Sequence, residues 1–172
     1  MNIISCDEAY SGQILAIFNE AIVNSTALYD YQPRRPESMA AWFEAKRKGN
    51  FPVLAAVTES DELLGFASYG VFRAFPAYKY TVEHSVYVAA GYRGQGIGKR
   101  LLREIVAQAE RQNYHVLVGC IDSLNAASIA MHRDFGFQHT GTIGHAGFKF
   151  GAWLDLDLYQ LILRTPTAPV DG

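Results

Sequence analysis

The sequence predicts a mixed α/β fold, one sheet of antiparallel and parallel strands with helices on both faces. Three observations carry that expectation. The strand-like stretch "KYTVEHSVYVAA" is followed by an amphipathic helix and then by the continuous apolar run "HVLVGCI", the strand–helix–strand order of a parallel pair. Outside that unit, strand-like stretches follow one another across short polar turns, as antiparallel neighbours do. The chain has 172 residues, 49% of them apolar and 13% aromatic, which suffices for one ordinary core.

The elements follow in order. "MNII" reads as a short opening strand. "DEAYSGQILAIFNEAIVNS" carries Ile14, Ile17, Phe18, Ala21 and Ile22 at helical spacing, with Asp7 as a cap. "PESMAAWFEAKRKGN" opens on Pro36, lines up Met39, Trp42 and Phe43, and closes on a basic turn and Gly49, the punctuation of a short helix. "FPVLAAVT" and "ELLGFASYG" are strands joined by "ESDE". "KYTVEHSVYVAA" is a longer strand with Tyr80, Val82, Val86, Tyr87 and Val88. Ile97, Leu101, Leu102, Ile105, Val106 and Ala109 then form one face of a helix. After "HVLVGCI", "NAASIAMHRDF" is helical and Gly136 stops it. "FQHTGTIG" and "FKFGAWLDLDLYQLIL" close the order β-α-α-β-β-β-α-β-α-β-β. The tail "RTPTAPVDG" reads as frayed.

A formal net charge of −2 argues against nonspecific binding to nucleic acid or an anionic membrane. The apolar runs fall short of a membrane span, and "MNIISCDEAY" lacks the pattern of a secretory signal. Cys6 and Cys120 match no metal or redox spacing, and the five His show no ligand spacing. A cytoplasmic protein with reduced thiols and no metal is the expectation.

The chemistry concentrates in "GYRGQGIGKR", between a strand and a helix. A phosphate loop of the form G-x-x-x-x-G-K-S/T fails, because Arg100 follows Gly98-Lys99 and Arg93 stands where the first glycine belongs. A dinucleotide G-x-G-x-x-G starting at Gly94 fails at Lys99. What remains is a cradle for another anion. Glycines let backbone N–H groups converge, the following helix adds its positive end, and Arg93, Lys99 and Arg100 add charge.

"SVYV" followed by "YRGQGIGKRLL" resembles the acetyl-CoA signature of the GCN5-related N-acetyltransferases (GNAT). "NAASIAMHRDFGF" is similar to that family's second motif at Asn125, Ser128, Met131, Gly136 and Phe137, with His132 where Tyr is usual. "TVEHSVYV", "MHRDFGF" and "GFKFGAWLDLDLYQL" resemble the branch acting on phosphinothricin and methionine sulfoximine. The resemblance implies a single GNAT domain over residues 1–164 with a flexible tail over 165–172. Its sheet would be mixed and mostly antiparallel, with central parallel strands that splay apart.

The resemblance also implies the roles. Val86, Tyr87 and Val88 would meet the pantetheine arm, and a Val88 backbone N–H would face the thioester oxygen. Arg93, Gly94, Gln95, Gly96, Ile97, Gly98 and Lys99 would hold the pyrophosphate. Asn125 and Ser128 would contact the arm from the other side. Glu83, a carboxylate in an otherwise apolar strand, is the expected base, and His132 the expected acid. His84 should face away from Glu83 and is read as structural or surface. Arg73 would clamp a substrate carboxylate, with Phe75 and Tyr78 as pocket walls and Tyr87 pointing in near Glu83. Arg34 and Arg35 sit in a lid-like loop, and Lys149 and Trp153 suit either the site or a subunit interface. The expected reaction is acetyl transfer from acetyl-CoA to the α-amino group of a small amino acid or analogue, by a homodimer. A relative acting on a peptide or protein N-terminus, and a non-catalytic CoA-binding module, are the alternatives.

Overall fold

The computed structural model describes residues 1–171. Its elements follow the expected order: β1 (Asn2–Ser5), α1 (Ser11–Asn24), α2 (Ser38–Lys48), β2 (Val53–Val57), β3 (Leu63–Val71), β4 (Thr81–Val88), α3 (Ile97–Arg111), β5 (Val116–Asp122), α4 (Ala126–Asp134), β6 (Gln138–Lys149) and β7 (Ala152–Ile162). The strands are hydrogen-bonded in one sheet, ordered β1-β2-β3-β4-β5-β7-β6. β4 and β5 run parallel, while β1–β2, β2–β3, β5–β7 and β6–β7 are antiparallel. Three short 3-10 turns, Glu8–Tyr10, Pro76–Tyr78 and Ala90–Tyr92, are too brief to show as periodicity. Asp7 does cap, but the 3-10 turn: its carboxylate accepts from the Ala9 N–H.

The chain divides into two compact units, the first from residues 1–70 and 85–105, the second from 71–84 and the chain from Val106 on. In the first, the expected helical stripes supply the core. Ile14, Ile17 and Phe18 of α1 and Met39 and Phe43 of α2 pack with Val53, Ala55, Val57, Leu63 and Phe66 of β2 and β3. The Phe18 ring meets Trp42, Phe66 and Tyr87 edge-on at 5.0–5.7 Å. Each such pair adds about 1 kcal/mol beyond burial.

In the second unit, the β4–β5 ladder covers Thr81↔Val116 through His84↔Gly119. β5 continues beside β7 to Asp122↔Leu156. β6 and β7 form a hairpin around Phe150 and Gly151, both at positive φ. "FKF" therefore ends one strand rather than starting the next. After Leu163 the chain is tied down: Thr165 Oγ1 donates to the Tyr114 carbonyl at 2.5 Å, and the Val170 N–H donates to the Tyr80 hydroxyl at 3.1 Å.

Candidate active site

In the first unit, the glycine loop takes the shape its composition demands. Gly94 and Gly96 have φ of +77° and +78°, where a Cβ meets no steric obstacle but the backbone itself would be strained. α3 starts at Ile97, so its first N–H groups point back into this loop. Gly94, Gln95, Gly96 and Lys99 are exposed, Gly98 is partly so, and the Ile97 side chain is buried as the loop's anchor. Arg93 is committed elsewhere: Nε donates to the Val88 carbonyl at 3.2 Å and its guanidinium pairs with Glu20. Arg93 therefore staples the loop to β4 and α1. Backbone dipoles and the α3 N-terminus add positive potential at the loop.

Val86, Tyr87 and Val88 occupy the C-terminal half of β4. Tyr87 joins the aromatic core, 5.3 Å from both Phe18 and Phe66. Gly65 of β3 is required by this neighbour: a Cβ there would sit 2.6 Å from the Tyr87 carbonyl oxygen. The lid-like loop is pinned by Asn19, whose side chain bonds both the N–H and the carbonyl of Arg34. Arg34 itself pairs with Asp30 at 2.9 Å and lies over the Phe18 ring.

In the second unit, Glu83 is exposed on β4, so its strand position carries no burial cost. Burial first, and then the neighbouring Glu83 carboxylate, by its charge and as a hydrogen-bond acceptor, push the Cys120 thiol up to about 12, so Cys120 stays protonated. His84 and His132 are both buried. Register pairs His84 with Gly119, and a Cβ on Gly119 would meet His84 at 3.1 Å and His132 at 3.5 Å. Glu83 and Cys120 thus use one face of the strands, and the two histidines the other. The candidate base and the candidate acid are not brought together.

His132 Nδ1 lies 2.7 Å from the Ser128 carbonyl oxygen, and its Nε2 lies 2.9 Å from His84 Nε2. Burial holds His132 below its ordinary value, against the pull of the Ser128 carbonyl. Burial, then the His132 charge, bring His84 down to about 3, against an upward pull from the Val118 backbone. Both rings are therefore neutral near pH 7. Periodicity had placed His84 away from Glu83 but could not link it to a residue 48 positions on.

Asn125 caps α4, its Oδ1 accepting from the Ser128 N–H at 3.1 Å. Arg73, Phe75 and Tyr78 lie exposed between β3 and β4. Tyr78 packs edge-on against Phe72 at 5.7 Å, and the Arg73 guanidinium lies 5.7 Å from that same Phe72 ring. Lys149 is buried, whereas Trp153 is 61% exposed and packs on His145 and Phe148. No cluster of metal-ligating side chains exists among the described residues, and no helix there is long and apolar enough to cross a membrane.

The model of the acetyltransferase (GNAT) family matches residues 16–137. An L-methionine sulfoximine/L-methionine sulfone acetyltransferase of Pseudomonas paraeruginosa is 45% identical over 157 residues, 91% of each chain. An acetyltransferase structure from Acinetobacter baylyi superposes with a TM-score of 0.98 at 57% identity, covering 99% of this chain and 96% of that one. A second, from Salmonella typhimurium and solved with its cofactor acetyl-CoA, gives 0.94 at 39% identity over 99% and 98%.

Proposed function

This chain belongs to the acetyltransferase (GNAT) family, and on that premise we propose that it acetylates the α-amino group of a small amino acid or analogue such as methionine sulfoximine or methionine sulfone. It is an acetyl-CoA-dependent N-acetyltransferase. The observation that carries the acceptor is the near full-length similarity to a methionine sulfoximine/sulfone acetyltransferase. Phosphinothricin, the other acceptor implied by the sequence resemblance, offers the same α-amino acid handle.

The pyrophosphate of the donor suits the Gly94–Gly98 backbone and the α3 N-terminus, with Gln95, Ile97 and Lys99 completing the loop. The backbone of Val86, Tyr87 and Val88 suits the pantetheine arm, because β4 runs on after its ladder with β5 has ended. Asn125 and Ser128 are the arm's contacts on α4. The Val88 N–H is the donor for the thioester oxygen.

Transfer is direct. An α-ammonium has a pKa of about 8 and must lose one proton before its lone pair can attack the thioester carbonyl. Glu83 takes that proton, directly or through water, held in place by the Cys120 S–H. The C–N bond forms, the C–S bond breaks, and the sulfur leaves as a thiolate. With a thiol pKa of about 8.5, that thiolate needs little help to leave. Arg73 is the carboxylate clamp, and Phe75 and Tyr78 are the apolar walls. A homodimer through the β6–β7 hairpin is part of the reading. Ile143, Phe148, Phe150 and Trp153 are each 46–63% exposed there, an apolar face of the kind that subunit contacts cover.

A thiol-release screen with acetyl-CoA tests the acceptor. Turnover with methionine sulfone, methionine sulfoximine or phosphinothricin is the expected result. Turnover confined to peptides with free N-termini would replace the small-acid reading, and acetyl-CoA binding without turnover on any amine would leave only a CoA-binding module.

A further inference from the structure

We infer that His84 is a positioning residue, which donates to His132 and through it holds the first turn of α4. One chain of hydrogen bonds links the two rings to α4. A carbonyl oxygen only accepts, so His132 Nδ1, 2.7 Å from the Ser128 carbonyl, carries the ring's proton. The neutral ring then has a bare Nε2. His84 Nε2, 2.9 Å away, must be the donor. His84 is thereby the opposite tautomer: its Nδ1 makes no hydrogen bond of normal geometry among the described residues and is assigned no proton, although the Val118 backbone pulls the ring's pKa upward. Ser128, whose carbonyl receives the His132 proton, gives its own N–H to Asn125 Oδ1. The chain therefore ends on the side chain that caps α4.

Packing leaves neither ring room to turn. Phe137 lies 5.2 Å from His84 and 5.0 Å from His132, edge-on to the latter. Gly119 presses from β5 with no side chain to spare. His84 and His132 are 5% and 4% exposed, so water cannot replace a lost partner cheaply.

This changes the part His132 plays. It has no N–H at Nε2 to give, and its Nδ1–H is spent on Ser128. Protonating the leaving thiolate from Nε2 would require the pair to open. In the closed pair His132 acts through α4. It holds Ser128 and Asn125 in the geometry that meets the pantetheine arm, a consequence that rests on the function proposed above. The thiolate then takes its proton from solvent.

The test has two arms. Nitrogen-15 ring spectra of the wild-type protein between pH 6 and 8 should show His132 as the Nδ1–H tautomer and His84 as the Nε2–H tautomer. This needs no substrate and holds whatever the acceptor is. In the second arm, His84→Phe should weaken acetyl-CoA binding by about tenfold, the cost of one buried hydrogen bond, with His84→Gln restoring most of it through its amide N–H. An Nε2–H or doubly protonated His132 in the wild type overturns the proposal, even if neither variant folds. So does a His84→Phe protein that binds acetyl-CoA as tightly as wild type.

Discussion

Under the proposed function, Glu83 acts on the amine of the amino acid and Arg73 on its carboxylate. Arg73→Ala should therefore raise KM for methionine sulfone by about tenfold or more while leaving kcat within a few-fold, because the lost contact serves ground and transition state alike. Steady-state kinetics with the donor saturating reads this directly; an unchanged KM removes Arg73 as the clamp. Much of the residue scale was legible in sequence. The glycines at 94 and 96 stood out as positions needing positive φ. Three partnerships were not legible. Arg93 with Glu20, Cys120 with Glu83, and His84 with His132 each join residues that only the folded chain brings together. Periodicity says which way a side chain points and is silent on what it meets.

At the scale of elements, two glycines that no motif required turn out to be spacers. Gly119 leaves room on β5 for the paired histidines, and Gly65 on β3 leaves room for the β4 backbone. Gly119→Ala should cost about 1–3 kcal/mol, since the His84 ring atom at 3.1 Å must give way inside a packed pair. Gly65→Ala should cost more, because the obstacle is a carbonyl oxygen at 2.6 Å and cannot rotate aside. Urea unfolding of the two variants checks the order; a Gly65→Ala protein as stable as wild type contradicts it. The elements themselves were nearly all visible, because each repeats its apolar residues with the period of its own geometry. The misread boundary at "FKFGAW" has a local cause. Phe150 and Gly151 turn the chain with positive φ, and an aromatic residue in that conformation carries no warning in sequence.

At the scale of the molecule, burying His84 as a neutral ring makes stability depend on pH. Its folded value of about 3 lies below its unfolded value of about 6.5, so the unfolded chain binds the extra proton between those limits. The stabilisation is complete above pH 6.5 and declines as pH falls toward 3. Thermal unfolding should show Tm falling from pH 7 to pH 5, and falling less steeply in His84→Phe; equal slopes would mean that other groups set the dependence. The exposed hairpin face makes a further prediction at this scale. Trp153→Glu should shift the protein from dimer to monomer in sedimentation, whereas a wild-type monomer would rule out the proposed homodimer.

The measurement closest to the centre of the account is the pH dependence of kcat/KM for methionine sulfone in Glu83→Gln and wild type. If Glu83 removes the amine proton, the variant should be slower by about a hundredfold or more near pH 7. The gap should narrow above about pH 8, where the free amine is already neutral. Equal rates at pH 7, or a gap that stays constant as the amine deprotonates, would contradict the assignment of Glu83 as the base.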